Sequence, residues 1–414
     1  MTDDIETALE DLRDRGLYRR MRMVSGPQGP RVLLDGKPVL LLCSNNYLGL
    51  ADHPRVREAA AEAAMRYGAG AGASRLVSGT MRIHRRLEER LAEFKGNERA
   101  LLFGSGYLAN LGVIQALARP GEVVFSDALN HASIVDGCRL AGAECFVYQH
   151  ADLEHLAWGL EQAEGRGSLI VTDGVFSMDG DIAPLEGIVE LAREHDVRVM
   201  VDDAHGTGTH GPEGRGSVAA AGMEDEVDVL VGTLSKSLGS YGAYVCCERR
   251  IAKYLVNTAR TLIFSTALPP PAVAAGMAAL ELLREEPRRV DKLQRNSAVL
   301  REALAERGLP APPGITPIVP LVIGDAETAM AATERALGRG VFAQAIRPPT
   351  VPAGTSRLRL TVMASHTKAE LREAAATIAA AVPAKARKAA ARYALNTRPA
   401  ADPGRVFDHL AGAA

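Results

Sequence analysis

The sequence predicts an α/β fold, in which a large, mostly parallel sheet covered by helices on both faces is followed by a smaller α+β domain. Between residues 100 and 247, short apolar runs rich in β-branched residues alternate with stretches of helical periodicity, a pattern typical of parallel sheets. Polar or glycine-rich loops follow several of these runs, at the sheet edge where α/β proteins carry their sites. Beyond residue 287, further helix and strand patterns predict the smaller domain.

The large domain is expected over residues 51–287, and most of its predicted strands are separated by helices. Each strand pattern is a short apolar run, as expected for a strand buried between two helical layers. The predicted strands are Ala100–Phe103, Glu122–Phe125, Glu144–Tyr148, Leu169–Thr172, Arg198–Val201, Val227–Val231 and Ala243–Cys247. The predicted helices include Pro54–Tyr67, Ile83–Lys95, Tyr107–Leu117, Ser133–Leu140, Leu153–Ala163 and Leu185–Glu194.

Residues 1–50 are expected to form an N-terminal arm and a hairpin, because a helical stripe precedes an Asp35-Gly36 turn between two apolar runs. Residues 288–382 are expected to form the small C-terminal domain, and residues 383–414 an extension that begins as a helix. The predicted elements of the small domain are the helices Val290–Glu306, Thr328–Leu337 and Lys368–Ala381, and the strands Ile318–Ile323, Val341–Ile346 and Arg357–Val362.

The composition favours small-molecule partners and a cytoplasmic location. The 414 residues include 48 Lys and Arg against 50 Asp and Glu, so no basic field would attract nucleic acid. The five cysteines lack the spacing of a disulfide framework or a zinc site, and no metal site is expected. Neither a signal peptide nor a membrane span is predicted.

Lys236 is the central candidate residue. It follows the predicted strand Val227–Val231 by a few residues and lies among glycines and the hydroxyls of Thr233, Ser235 and Ser237. A lysine in such a loop, with no acidic neighbour along the chain, is suited to losing its proton and forming a Schiff base. The alternative is an ordinary solvated loop lysine.

A second candidate group follows the predicted strand Arg198–Val201. Asp202 and Asp203 are adjacent carboxylates, and His205 comes two residues later. An apolar strand that ends this way delivers at least one carboxylate into the crevice of the sheet, where it needs a positive partner. The alternative is a pair of solvated aspartates.

Three weaker signals lie at the same predicted edge. Gly104–Tyr107 opens a helix whose free backbone N–H groups form an anion site of phosphate size. His131 opens a later helix and offers a flat ring, while Ser177 lies in a turn after another strand. Together with Lys236 and Asp202, they predict bound pyridoxal 5'-phosphate, because a carboxylate at the pyridine nitrogen makes the ring a better electron sink.

From about residue 19 to 381, the chain resembles the α-oxoamine synthases. These are pyridoxal-phosphate enzymes of fold type I that join an amino acid to an acyl-CoA with loss of carbon dioxide. The most specific of the matching segments is the long proline-rich one. The segments are Ser44–Leu50, Gly174–Asp181, Asp202–Gly208, Thr233–Gly239 and Arg347–Leu360.

The resemblance implies roles for residues around the cofactor. It makes Lys236 the Schiff-base lysine and general base, Asp202 the partner of the pyridine nitrogen, and His131 the ring-stacking residue. Residues at the phenolic oxygen would be His205 and Ser177, and residues at the phosphate would be Gly106, Tyr107, Thr233 and, from the neighbouring subunit of a homodimer, Ser265 and Thr266. Substrate-side residues would be Arg359, which grips the carboxylate of the amino acid, with Asn45, Arg19 and Thr350.

The resemblance also bears on the substrates. The segment Arg347–Leu360 is most similar to family members of the biotin pathway, which condense L-alanine with pimeloyl-CoA or its carrier-protein thioester. Asn46, however, stands where those members often have an acid, and Asn130–Cys138 is also close to the serine palmitoyltransferase pattern. A sister synthase using serine or glycine with another acyl-CoA therefore remains the alternative.

Two rival classes are weaker. A pyridoxal-phosphate-binding sensor domain of a transcription regulator needs a basic winged-helix module, for which the acidic N-terminal arm is too short. A non-catalytic subunit of a heteromeric synthase would not need Lys236.

Overall fold

The computed structural model describes residues 2–395, and these form two compact units. One unit comprises residues 2–44 with 295–395, and the other comprises residues 45–294. The end of the predicted extension, from residue 396 to 414, lies outside the described residues. None of the described helices is long and apolar enough to cross a membrane.

The strands are numbered along the chain. They are β1 (Val24–Ser25), β2 (Arg31–Leu34), β3 (Lys37–Leu41), β4 (Arg99–Phe103), β5 (Val123–Asp127), β6 (Glu144–Tyr148), β7 (Gly167–Asp173), β8 (Arg198–Asp202), β9 (Val229–Thr233), β10 (Ala243–Cys247), β11 (Ile318–Gly324), β12 (Val341–Phe342), β13 (Gln344–Ile346) and β14 (Ser356–Thr361).

The α-helices are numbered in the same way. They are α1 (Thr2–Asp14), α2 (Pro54–Tyr67), α3 (Arg82–Lys95), α4 (Gly106–Leu117), α5 (Ala132–Ala141), α6 (Leu153–Gln162), α7 (Leu185–Glu194), α8 (Ser217–Ala221), α9 (Arg249–Thr258), α10 (Arg260–Ile263), α11 (Pro270–Glu285), α12 (Arg288–Ala305), α13 (Ala326–Leu337), α14 (Lys368–Ala381) and α15 (Ala384–Leu395). A π-helix at Arg75–Gly79 was not predicted.

The unit of residues 45–294 is built on a seven-stranded sheet, in the order β4-β10-β9-β8-β7-β5-β6. Its pairs from β9 to β6 are parallel, and β10 runs antiparallel to β4 and β9, which confirms the predicted α/β fold with a mostly parallel sheet. The parallel strands bring their carboxyl ends to one edge. There the last residues of β5, β7, β8 and β9 are Asp127, Asp173, Asp202 and Thr233.

The other unit contains two small sheets. The N-terminal hairpin and β12 form a four-stranded sheet in the order β1-β2-β3-β12, and the second sheet has the order β11-β14-β13. The prediction of one strand at Val341–Ile346 was wrong, because β12 pairs with β3 while β13 pairs with β14. A continuous apolar run does not reveal that its two halves bond to different partners.

Candidate active site

Lys236 lies three residues after β9 and contacts His205, which lies three residues after β8. The Nζ of Lys236 is 2.8 Å from Nε2 of His205, and Nδ1 of His205 is 2.7 Å from the hydroxyl of Tyr47. Tyr47 donates its proton to Oδ1 of Asn45, at 3.0 Å. The Tyr47 hydroxyl must therefore accept from His205 Nδ1–H, which leaves Nε2 of a neutral ring free to accept from the lysine.

Asp202, at the end of β8, is the buried carboxylate of the site. Its Oδ2 accepts a hydrogen bond from Nδ2 of Asn110 at 2.7 Å, and its Oδ1 accepts from the backbone of Ala204 at 2.9 Å. The same Asn110 nitrogen donates to Ser133 Oγ at 2.8 Å. Only 5% of Asp202 is exposed, so its charge needs such donors and a positive partner.

Asp203 points elsewhere and is fully buried in a structural ion pair. Its Oδ2 is 3.0 Å from Nζ of Lys95, and its Oδ1 accepts from the backbone and hydroxyl of Ser217. A Cβ at Gly216, whose φ is +97°, would stand 1.9 Å from Asp203 Oδ2, so only glycine lets this loop close on the carboxylate. The two adjacent aspartates therefore have different surroundings.

His131 precedes α5 and caps it. The ring Nδ1 of His131 accepts from the backbone N–H of Ser133 at 3.2 Å and lies 2.7 Å from Ser133 Oγ. The backbone N–H of His131 donates to Asp173 Oδ2 at 3.1 Å. His131 is exposed at the surface of the described chain, yet partial desolvation of its ring lowers the pKa of His131. The negative charge of Asp202 raises this pKa, and the positive charge of Lys236 lowers it further. The ring is thus neutral, flat and accessible.

The start of α4 provides the expected anion site. Ser105 caps the helix by accepting from the backbone of Leu108 at 3.2 Å, and the first N–H groups, at Gly106 and Tyr107, have no partner within a helix. A Cβ built at Gly106 meets no atom within 4 Å, so the approach to these groups is open. The hydroxyl of Tyr107 donates to Asp136, which raises its pKa.

Four further predicted cofactor residues lie in the same unit. The hydroxyl of Thr233 is bonded within its own loop, donating to Gly242 O at 3.1 Å. Ser177 is buried in the turn after β7. Ser265 is half-buried, and the exposed Thr266 forms an isolated bridge with Ser74.

The other predicted substrate residues belong to the unit of residues 2–44 and 295–395. Arg359 lies in the middle of β14, opposite Pro320 and Gln344, and is 6% exposed. Both Thr350 and Arg19 are exposed.

Sequence reasoning missed Tyr47, Asn110 and Asp173. Tyr47 lies within Ser44–Leu50, and Asp173 ends a strand as Asp202 does, so both carried a signal that was left unused. Asp173 is buried, which raises its pKa well above the ordinary value, with the charge of Asp202 acting in the same direction. Asn110 carried no signal beyond its place one turn after Gly106.

The residues present fit pyridoxal phosphate. An amine held by a neutral histidine suits the aldehyde, a buried carboxylate suits a protonated pyridine nitrogen, and an open helix start suits the phosphate. This sheet and this set of donors define a pyridoxal-phosphate-dependent transferase of fold type I.

Comparison with known proteins narrows that class. Residues 37–378 match the family described as aminotransferase class I and II. The chain is 53% identical over 382 residues to the 8-amino-7-oxononanoate synthase of Geobacter sulfurreducens, an alignment that covers 92% of this chain and 98% of that protein. The protein of the same name from Citrifermentans bemidjiense is 54% identical over 373 residues, with 89% and 96% covered.

Solved structures show the same relationship. The serine palmitoyltransferase of Sphingomonas wittichii has a TM-score of 0.87 at 32% identity and covers 94% of this chain and 98% of its own. The 8-amino-7-oxononanoate synthase of Francisella tularensis has a TM-score of 0.72 at 27% identity, with 83% and 97% covered. The chain belongs to the aminotransferase class I and II family and, within it, to the α-oxoamine synthases.

Proposed function

We propose that the chain condenses L-alanine with pimeloyl-CoA, or the corresponding carrier-protein thioester, to give 8-amino-7-oxononanoate, CoA and carbon dioxide in biotin synthesis. The observation that supports this reaction is the 2.8 Å contact between Lys236 Nζ and His205 Nε2. His205 follows the buried Asp202 by three residues along the chain. The choice of substrates is supported by relatives of 53% and 54% identity that bear the name of this synthase.

When bound, pyridoxal phosphate supplies an aldehyde for the amino group of alanine and a ring that accepts the electrons released at its α-carbon. Lys236 Nζ takes the α-proton, and His205 Nε2 holds the amine in place by accepting one of its hydrogens. Asp202 keeps a proton on the pyridine nitrogen, since a buried carboxylate favours a positive neighbour. His131 would stack against the ring, and the first N–H groups of α4 would bind the phosphate.

The amine of Lys236 also serves the condensation that follows. The α-carbon forms a bond to the thioester carbonyl carbon as the carbon–sulfur bond breaks. CoA leaves as a thiolate and takes a proton from solvent. The bond between the α-carbon and the alanine carboxylate then breaks to release carbon dioxide, and Lys236 returns a proton to that carbon. Arg359 binds the alanine carboxylate before it is lost, and Asn45, Arg19 and Thr350 contact substrate.

The enzyme works as a homodimer in which Ser265 and Thr266 of one copy reach the phosphate bound by the other. Exposed apolar side chains near Thr266 support this dimer, because such side chains often mark an interface. Phe264, two residues before Thr266, is 70% exposed. Val77 is 80% exposed and lies in the π-helix after Ser74, the residue that pairs with Thr266. The five cysteines are all free, which supports the cytoplasm as the compartment.

A sister synthase that uses serine and a long-chain acyl-CoA is the second candidate. The observation in its favour is the TM-score of 0.87 with serine palmitoyltransferase, against 0.72 with the Francisella synthase. Its 32% identity lies well below the 53% of the Geobacter relative, so the first candidate is preferred.

The test is to measure CoA release with alanine, glycine or serine, each offered with pimeloyl-CoA, acetyl-CoA, succinyl-CoA and palmitoyl-CoA. A pocket built for a terminal carboxylate should prefer pimeloyl-CoA to a hydrocarbon chain by on the order of a thousandfold, because a buried polar partner is otherwise left unpaired. The result expected is fastest release with alanine and pimeloyl-CoA. Faster release with serine and palmitoyl-CoA would establish the second candidate instead.

A further inference from the structure

His150, between β6 and α6, forms a bridge between two carboxylates at the site edge of the sheet. Its Nδ1 lies 3.0 Å from Asp127 Oδ1, and its Nε2 lies 2.7 Å from Asp181 Oδ2. The imidazole side chain is 11% exposed and that of Asp127 is 1% exposed, while Asp181 is 42% exposed. Water therefore screens the Asp127 side of the bridge very little.

The geometry fixes the charge of this bridge. Ionised carboxylate oxygens only accept hydrogen bonds, so both ring nitrogens of His150 must carry a proton and the ring is an imidazolium. Burial lowers the pKa of His150, but the hydrogen bonds that it donates to Asp127 and Asp181 outweigh this effect and raise the pKa to about 10. A cation between two anions is thus the state of the folded protein at neutral pH.

Asp127 anchors the loop that carries His131. Its Oδ1 accepts from the backbone of Leu129 at 2.8 Å, and its Oδ2 accepts from Ala151, next to His150, at 2.9 Å. Asn130 and His131 follow directly, and the backbone of Asn130 bonds to Asp127 O at 3.1 Å. A shift of Asp127 would therefore move the residue before His131.

Asp181 anchors the turn that carries Ser177. The backbone of Phe176 donates to Asp181 O at 3.0 Å, and the Phe176 ring meets the His150 ring edge-on, with centroids 4.4 Å apart. Ser177 is the next residue along the chain. His150 therefore contacts this turn twice, through a carboxylate and through an aromatic ring.

We propose that His150 is a positioning residue, whose bridge from Asp127 to Asp181 holds His131 and Ser177 in place for the cofactor. This inference rests on the proposed function, which gives those two residues their contacts with pyridoxal phosphate. His150 itself contacts neither of them through a hydrogen bond in the part of the chain that the structure describes. Its effect on the reaction is exerted through the loop and the turn.

The test compares His150→Gln, Ser177→Ala and the double variant, with His155→Gln as the matched control. His155, in the adjacent α6, is also packed against aromatic rings, and its ring accepts one backbone hydrogen bond. Its backbone donates to Asp152, but its ring bridges no carboxylates among the described residues. The measurements are the Kd of pyridoxal phosphate for each apoprotein, the absorbance spectrum of each holoenzyme, and the thermal midpoint. Asp181→Ala, which removes the acceptor at the exposed end of the bridge, serves where His150→Gln does not fold.

We expect His150→Gln and Ser177→Ala each to raise the Kd by about tenfold and to shift the spectrum, because small misplacement at a reacting centre is costly. The double variant should fall short of the product of the two single effects, since part of the effect of His150→Gln passes through Ser177. His155→Gln should lower the thermal midpoint alone. An unchanged Kd in Ser177→Ala removes the cofactor role proposed for Ser177. A raised Kd there that neither His150→Gln nor Asp181→Ala reproduces, or single effects that multiply in full in the double variant, overturns the role of His150 alone.

Discussion

Lys236 Nζ lies 2.8 Å from His205 Nε2, and the far side of the same imidazole is held by Tyr47 at 2.7 Å. The three side chains form a chain of hydrogen bonds that continues from Tyr47 to Asn45. Since each member fixes the proton of the next, the histidine presents an acceptor to the lysine, and the lysine is oriented before substrate arrives.

Replacing Tyr47 with Phe should therefore lower kcat by about tenfold while the KM for alanine changes little. The variant leaves His205 Nδ1–H buried without its acceptor, and such an unpaired group costs about 1–3 kcal/mol. Steady-state kinetics over a range of pH check this. Tyr148→Phe, which removes a buried hydroxyl at the end of β6, is the control. Equal loss in both variants would show that only packing matters.

Lys236→Ala should abolish condensation and remove the site of covalent attachment of the cofactor. Treating the wild-type holoenzyme with borohydride should label Lys236, as peptide mass spectrometry can establish, because its amine lies beside His205 at the carboxyl edge of the sheet. Lys253→Ala, on the surface helix α9, should label as the wild type does. A label on any other lysine would refute the proposed chemistry.

Replacing Asp202 should impair the reaction, whereas replacing the neighbouring Asp203 should impair the stability of the fold. Asp202→Asn should fold normally and still bind cofactor, but the α-proton exchange of alanine should slow by on the order of a hundredfold, because a preorganised charge is lost. Asp203→Asn should instead lower the free energy of unfolding by about 3–5 kcal/mol, because Lys95 is left as a buried charge without its anion.

Exchange by NMR and unfolding in urea separate these two effects. The double variant Lys95→Met with Asp203→Leu should recover much of the stability lost in Asp203→Asn, since no buried charge remains. Near-normal exchange in Asp202→Asn would mean that this carboxylate does not face the cofactor.

The sequence was sufficient for the strands but not for the contacts between distant residues. Apolar runs of four or five residues are local signals, and each predicted strand of the seven-stranded sheet is present. Tyr47 and His205 are 158 residues apart, and Asn110 and Asp202 are 92 apart, so no local pattern relates them. The split of Val341–Ile346 into β12 and β13 has the same origin, because pairing partners are a tertiary property.

The adjacent aspartates show a further limit. Side-chain alternation places Asp202 and Asp203 on opposite faces, which predicts different surroundings but not which of them meets Lys95. That choice depends on α3, whose last residue is Lys95, and on the loop that closes around Ser217. The roles assigned to the site residues remain predictions, and the variants described above test them.

Acid should weaken the fold through His84, which is fully buried in α3. Its Nδ1 accepts from the backbone of Met81 at 3.2 Å and its Nε2 lies 2.8 Å from Leu268 O, so the ring must be neutral to make both bonds. Desolvation lowers its pKa, opposed by the bond to Leu268. Because the folded pKa lies below the unfolded value of about 6.5, the unfolded chain binds the proton more readily and stability falls as pH drops below about 6.5.

Between pH 7 and 5.5 this group alone should lower the free energy of unfolding, because the unfolded chain takes up the proton in this range more readily than the folded protein does. Urea unfolding at both pH values measures the loss. His84→Asn, whose side-chain oxygen can still accept from Met81, should be less stable than the wild type at pH 7 but should lose less on acidification. An equal loss in the two proteins would show that the acid sensitivity arises at other groups.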